Sequence, residues 1–137
     1  MKLYHFTSKY HIQRCLDQGL TMGIIPVSID PTEVIHGYQW LTKNKSFDQF
    51  WCDNPYSKLP YKRNDFRITI KIPKSEVKRK RLMNWLWFCK NSPYSKIRCA
   101  GEILNSFGDP ENWYIYHGIV LKEWFIKVSK RPELFKK

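Results

Sequence analysis

The sequence is poor in several residues and patterns that mark particular classes of protein. Its four cysteines form neither a CxxC pair nor a zinc-finger spacing, which argues against a metal site and a disulfide framework. No stretch approaches the ~18 apolar residues of a membrane span, and Met1 to His5 carry no signal-peptide pattern. We therefore expect a cytoplasmic protein with reduced thiols, no bound metal and no membrane contact.

Acidic residues are also scarce, since 12 Asp and Glu stand against 24 Lys and Arg for a net charge of +12. A positive field attracts polyanions, so we expect a nucleic acid or an acidic protein as partner. The simpler alternative is a solvated basic face without a site. The candidate nucleic-acid-binding residues are Lys43, Lys45, Lys58, Lys62, Arg63, Lys78, Arg79 and Lys80. Tyr56, Tyr61 and Tyr94 are placed to stack on unpaired bases.

Apolar residues, in contrast, are abundant enough for one hydrophobic core. The 137 residues fit a single domain, of which 42% are hydrophobic and 16% aromatic. A chain of this size can bury a core without a metal or a disulfide. We predict one monomeric domain over residues 1–137, with a basic flexible tail from 130 to 137.

The hydrophobic pattern predicts many strands and few helices. A strand at Leu3 to Phe6 leads into a helix with Ser8 as N-cap and Gly19 just beyond its end. Phe66 to Ile72 alternates apolar and polar residues, as in a strand with one buried and one wet face. The remaining elements are strands at Ile24 to Ile29, Gly37 to Thr42, Ile97 to Leu104, Trp113 to Val120 and Glu123 to Val128, and helices at Ser46 to Cys52 and Leu82 to Lys90. Because regular βαβ alternation is missing, the α+β class is favoured.

Two short strands carry candidate binding residues. His5 and Thr7 are two apart and share one face of the first strand, where both can hydrogen-bond a sugar or an amide. Tyr38, Trp40 and Thr42 share a face in the same way and could stack a flat ring. The alternatives are a half-buried histidine bonded to a carbonyl and an aromatic stripe of the core.

Glu102 is the third candidate, because it lies among small and apolar residues in a predicted strand. Burying a carboxylate costs several kcal/mol unless it is paired or hydrogen-bonded. A catalytic carboxylate fits this position. A salt bridge to Arg98, Lys96 or another basic group fits it equally well.

These motifs, taken in order, resemble the diphtheria-toxin-like ADP-ribosyltransferases. The segment Leu3-Tyr4-His5-Phe6-Thr7, followed by a helix and Gly19-Leu20, is similar to the opening of that superfamily. The strand around Trp40 and the segment around Glu102 resemble the later parts of its His–Tyr–Glu arrangement, nearest to the DNA-targeting toxin branch. The resemblance implies a split mixed or antiparallel sheet with short helices.

The resemblance also implies a mechanism with NAD as substrate. His5 would bond the adenosine ribose, Thr7 would help to shape the site, and Tyr38 or Trp40 would stack on the nicotinamide. Thr42 is a further cofactor-binding candidate, with its hydroxyl beside these aromatic rings. Glu102 would hold the nicotinamide ribose, stabilise the developing positive charge and accept the acceptor's proton. The basic surface would then select single-stranded DNA, RNA or an acidic protein. The rival hypotheses are a non-enzymatic basic nucleic-acid-binding protein and an inhibitor on a catalytically degenerate transferase fold.

Overall fold

The computed structural model describes residues 1–26, 34–47, 64–91 and 110–132. The strands in these ranges are β1 (Lys2–Thr7), β2 (Ile24–Pro26), β3 (Val34–His36), β4 (Tyr38–Thr42), β5 (Phe66–Lys71), β6 (Leu82–Asn84), β7 (Trp113–His117) and β8 (Phe125–Lys130). The α-helices are α1 (Ile12–Gln18), α2 (Lys74–Lys78) and α3 (Trp85–Asn91). Short 3₁₀ turns occupy Pro110–Asn112 and Lys122–Trp124.

The main sheet has six strands in the order β6-β7-β4-β1-β5-β8, and β2 and β3 form a separate pair. All the described ladders are antiparallel. The α+β class is therefore confirmed, with an antiparallel sheet and short helices.

The centre of the main sheet is divided. Strand β1 shares six residue pairs with β5 but one with β4, Tyr4 with Thr42. Beyond that pair the C-terminal half of β1 separates from the N-terminal half of β4. This separation leaves an opening at one end of the sheet.

The core lies on both faces of the sheet. On one face, α1 contributes Cys15 and Ile12 to a cluster built on Leu3, Leu41 and other residues of the central strands. On the other face, α3 contributes Trp85 and Phe88, which pack with Ile25 and Ile115. The aromatic residues thus supply much of the second core, in agreement with the composition.

The first helix is shorter than predicted at its start. Its end agrees with the sequence, because Gly19 has φ 79° and its N–H donates to the Cys15 carbonyl at 2.8 Å. The N-cap prediction for Ser8 is wrong. The Ser8 carbonyl accepts the N–H groups of His11 and Ile12, which forms a turn, and the Ser8 side chain is buried. The helix therefore begins at Ile12, and the cap position is His11.

The helix predicted at Leu82 to Lys90 is divided between two elements. Leu82–Asn84 forms β6, which pairs with β7, and the helix starts at Trp85. The Asn84 side-chain oxygen accepts the N–H groups of Leu86 and Trp87 at 3.0 and 3.3 Å. Asn84 thus caps the helix and fixes its beginning.

The strand at Phe66–Lys71 is present, but the prediction of a wet face is wrong for its centre. Thr69 is 5% exposed and lies between the buried residues Ile68 and Ile70. The reason is position, because β5 lies inside the sheet between β1 and β8. Both faces of an interior strand can be covered, which is the case at Thr69, whereas Lys71 at the end of the strand is exposed.

The predicted flexible tail, residues 130–137, lies partly within the described ranges and partly outside them. Lys130 is the last residue of β8 and pairs with Phe66, and the Arg131 N–H donates to the Asp65 carbonyl at 2.7 Å. The first residues of the predicted tail therefore continue the sheet, because they keep its hydrogen bonds. Residues 133–137 lie outside the described ranges, as do the predicted strand 97–104 and most of the predicted helix 46–52.

Candidate functional site

A cleft of about 460 Å³ opens where β1 and β4 separate. Its walls come from the end of β1, the middle of β4, helix α1 and the segment 20–24. This volume lies within the range of small-molecule sites. The cleft is therefore a candidate binding site, and the positions of the predicted binding residues relative to it can be compared.

The cleft brings together three of the five predicted cofactor-binding residues, His5, Thr7 and Trp40. Tyr38 does not line the cleft, and its ring stacks on His117 with centroids 4.5 Å apart. Thr42 is also outside it and is buried, and its hydroxyl accepts the Asn44 N–H at 3.0 Å. The predicted common face of β4 exists, but its packing against α3 makes it largely an aromatic part of the core.

His5 lies at the point where the sheet divides. Its Nδ1 lies 2.8 Å from the Trp40 carbonyl oxygen, 35 positions along the chain. A carbonyl can only accept, so Nδ1 carries the proton and donates. Burial lowers the pKa of His5 below its usual 6.5, with a smaller contribution from the charge of Arg14, against the opposing effect of the Trp40 bond. The imidazole is thus neutral at pH 7, and Nε2 is a hydrogen-bond acceptor.

Trp40 is held on several sides. Its indole N–H donates to the Ile24 carbonyl at 2.7 Å, which ties the segment 20–24 to β4. Its ring also lies 4.7 Å from that of Trp85 and 5.7 Å from that of Trp113, centroid to centroid. A ring fixed in this way cannot rotate freely, so the position of Trp40 in the cleft wall is fixed as well.

Gln39 also holds the segment 20–24 in place. It is 3% exposed, its side-chain oxygen accepts the Gly23 N–H at 2.8 Å, and its side-chain nitrogen donates to the Gly118 carbonyl at 3.1 Å. Gly23 also accepts the Gly37 N–H at 3.1 Å. A Cβ on Gly23 would collide with the Tyr38 carbonyl. The wall of the cleft therefore requires glycine at this position.

Sequence reasoning missed most of the cleft residues, among them Arg14 and His11. They are three positions apart, and Arg14 Nη1 lies 3.2 Å from His11 Nδ1. Cys15 follows Arg14 in the cleft wall, and burial raises the pKa of its thiol. The available signal was the helical spacing of residues 11, 14 and 15, which places them on one side of α1.

The predicted basic residues that the structure describes lie on the surface. Lys43, Lys45, Lys78, Arg79 and Lys80 are exposed. The ammonium group of Lys43 lies 5.2 Å from the centroid of the Tyr114 ring. The predicted residues outside the described ranges are Glu102, Lys58, Lys62, Arg63, Tyr56, Tyr61 and Tyr94.

Within the described ranges, no group of three or more His, Cys, Asp or Glu side chains is arranged to hold a metal ion. No helix in those ranges combines the length and apolar character needed to cross a membrane. Compared with protein-family models, curated proteins and solved structures, the chain has no match.

Proposed function

We propose that this chain is an NAD-dependent ADP-ribosyltransferase that modifies a nucleic acid or an acidic, nucleic-acid-associated protein. One observation supports the proposal most directly: His5 and Thr7 of the His-x-Thr strand share one cleft with Trp40. The resemblance of the sequence assigns these same residues to NAD. The volume of the cleft, about 460 Å³, suits a small-molecule substrate.

The proposed roles follow from the hydrogen-bonding capacity of each side chain. His5 donates from Nδ1 to Trp40, so its Nε2 can accept a hydrogen bond from a ribose hydroxyl. Trp40 lines the cleft and its indole is held in place, and in this proposal the nicotinamide ring packs against it. Both residues bind and orient the substrate and transfer no proton.

Glu102 has the catalytic role in this proposal, on the strength of the resemblance. The bond between the ribose C1′ and the nicotinamide nitrogen breaks, and its electron pair leaves with nicotinamide. An oxygen or nitrogen of the acceptor bonds to C1′, and its proton passes to the Glu102 carboxylate. The same carboxylate stabilises the positive charge that develops on the ribose.

The test is NAD consumption by the purified protein and by Glu102→Gln. Labelled NAD would be supplied with single-stranded DNA, RNA and cell extract in parallel. The proposal predicts label on a macromolecule with the wild type only, and the labelled species names the acceptor. Absence of both NAD binding and label transfer would reject the transferase. A His5→Asn variant keeps a donor for the Trp40 carbonyl and should lose NAD affinity while remaining folded.

A second candidate function, non-enzymatic nucleic-acid binding, is favoured by the exposure of five predicted basic residues, Lys43, Lys45, Lys78, Arg79 and Lys80. It predicts a steep salt dependence of binding and no effect of Glu102→Gln. Replacing residues 78–80 by Gln should lower the slope of log K against log salt by roughly 2–3, if each contacts a phosphate. A catalytically degenerate transferase acting as an inhibitor would bind NAD without turnover.

A further inference from the structure

The described part of the cleft wall carries a positive charge without an acidic side chain beside it. Arg14 supplies this charge, and none of the described lining residues is Asp or Glu. Arg14 is a permanent cation, because its pKa lies far above physiological pH. A pocket of this composition is suited to an anion.

The guanidinium of Arg14 lies within the cleft, close to its other polar groups. Its charge contributes to the lowered pKa of His5, after burial. It also acts on Cys15, where its charge and a side-chain hydrogen bond partly oppose the burial that raises the pKa of the thiol. Arg14 is therefore near both the floor of the cleft at β1 and the wall formed by α1.

His11 orients this guanidinium. An arginine can only donate, so His11 accepts the 3.2 Å hydrogen bond from Nη1 at its Nδ1. This bond fixes the direction of the side chain without neutralising its charge. The planar fork of N–H donors is thus pre-oriented, and such a fork matches the oxygens of a phosphate.

A buried hydroxyl in the same wall is a further donor. Ser8 is 1% exposed and lines the cleft, and its Oγ has no hydrogen-bond partner. An unmade bond at a buried hydroxyl is unfavourable, so a ligand oxygen that reaches it gains a bond at little desolvation cost. Ser8 and Arg14 line the same cleft, and each has a donor for an oxygen of an anionic ligand.

We propose that Arg14, oriented by His11 and assisted by Ser8, forms a phosphate-binding subsite in the cleft. If the ligand is NAD, the subsite takes the diphosphate, and to that extent the inference rests on the proposed function. A terminal phosphate of an oligonucleotide has the same chemistry and is the other source. The inference concerns binding alone and does not require catalysis.

The experiment is isothermal titration of the wild type, Arg14→Gln and Arg14→Lys with four probes. ADP-ribose carries a diphosphate and adenosine carries none. A short oligonucleotide is supplied with and without a 5′-phosphate. The control variant is Lys127→Gln, which removes one exposed positive charge from the edge strand β8. Circular dichroism and thermal melting establish that each variant is folded.

We expect Arg14→Gln to weaken binding of at least one phosphate-bearing probe by about tenfold or more, because a charge-assisted bond is lost. Binding of its phosphate-free counterpart should be unchanged, and Arg14→Lys should recover part of the loss. The probe that shows the dependence names the source. Equal losses for both members of a pair, an equal loss in Lys127→Gln, or no binding of either phosphate probe by the wild type would overturn the subsite.

The outcomes separate this inference from the proposed transferase. Arg14-dependent binding of ADP-ribose without NAD consumption would keep the subsite and remove the transferase. NAD consumption with unchanged affinity of Arg14→Gln for both phosphate-bearing probes would keep the transferase and remove the subsite.

Discussion

The substitution Gly23→Ala tests the close approach that forms one wall of the cleft. A Cβ at this position would lie within collision distance of the Tyr38 carbonyl oxygen and 2.5 Å from the side-chain oxygen of Gln39. The carbonyl belongs to the backbone of β4 and cannot rotate away. The segment 20–24 must therefore move off β4 to make room.

The expected cost follows from what this movement breaks. Two hydrogen bonds are at risk, from Gly23 N–H to Gln39 and from Gly37 N–H to the Gly23 carbonyl. Each contributes about 1 kcal/mol, and the overpacking adds about 1–3 kcal/mol. Alanine also restricts the unfolded chain, which stabilises the folded protein by about 0.4–1 kcal/mol. The net loss in the free energy of unfolding is about 3 kcal/mol, or a fall in Tm of roughly 10 °C.

Gly37→Ala is the matched control. Gly37 has φ +91°, but a Cβ there would meet nothing within 4 Å. This variant therefore tests backbone strain alone, which costs about 1–2 kcal/mol. Urea denaturation of both variants, with ligand titration of the cleft, gives the comparison. If Gly23→Ala destabilises the protein by less than Gly37→Ala, the close approach is not as described.

Three further predictions concern single side chains. Trp85→Ala should lower the free energy of unfolding by about 3–5 kcal/mol, because Trp85 is 1% exposed. Trp87 is 51% exposed, so Trp87→Ala should lower it by less than about 1 kcal/mol. Urea denaturation measures both changes, and similar losses would contradict the assigned core. The lowered pKa of His5 stabilises the fold fully above about pH 6.5, and this contribution is lost as the pH falls through the folded-state value. Relative to His5→Asn, the wild type should therefore lose unfolding free energy between pH 6.5 and 5, and parallel curves would refute this. Burial raises the pKa of Cys89 to about 11. Alkylation of Cys89 at pH 8, followed by peptide mapping, should therefore be about 100-fold slower than alkylation of free cysteine. An equal rate would show that the thiolate forms as easily as in free cysteine.

Local sequence patterns predicted much of the secondary structure. The apolar run at the start of β1, the strand β4 and the end of α1 at Gly19 all follow from the residues that form them. Each depends on contacts within a few positions, such as the alternation of a strand or the glycine that ends a helix. The start of α3 was missed because Asn84 serves both β6 and the helix cap, and a window of local periodicity does not separate the two.

The composition of the cleft depended on long-range contacts. His5 and Thr7 were found because they lie two apart in one strand, and Trp40 because it lies in another predicted strand. Nothing local distinguishes Trp40 from Tyr38, and their different positions arise from the packing of β4 against α3 and the segment 20–24. In the sequence, Arg14 is indistinguishable from an ordinary basic residue of a helix. Its position in the cleft depends on how α1 packs in the folded protein.

The residues by themselves thus determined the α+β class, the basic character and the strands whose patterns are locally complete. Tertiary structure alone decided the strand order, the burial of Thr69 in an interior strand, and the separation of β1 from β4 that opens the cleft. The physical reason is that hydrophobic periodicity specifies which face of an element is buried but not which distant element covers it. That choice rests on pairs such as His5 with Trp40 and Gln39 with Gly23, which form only when the whole sheet is assembled.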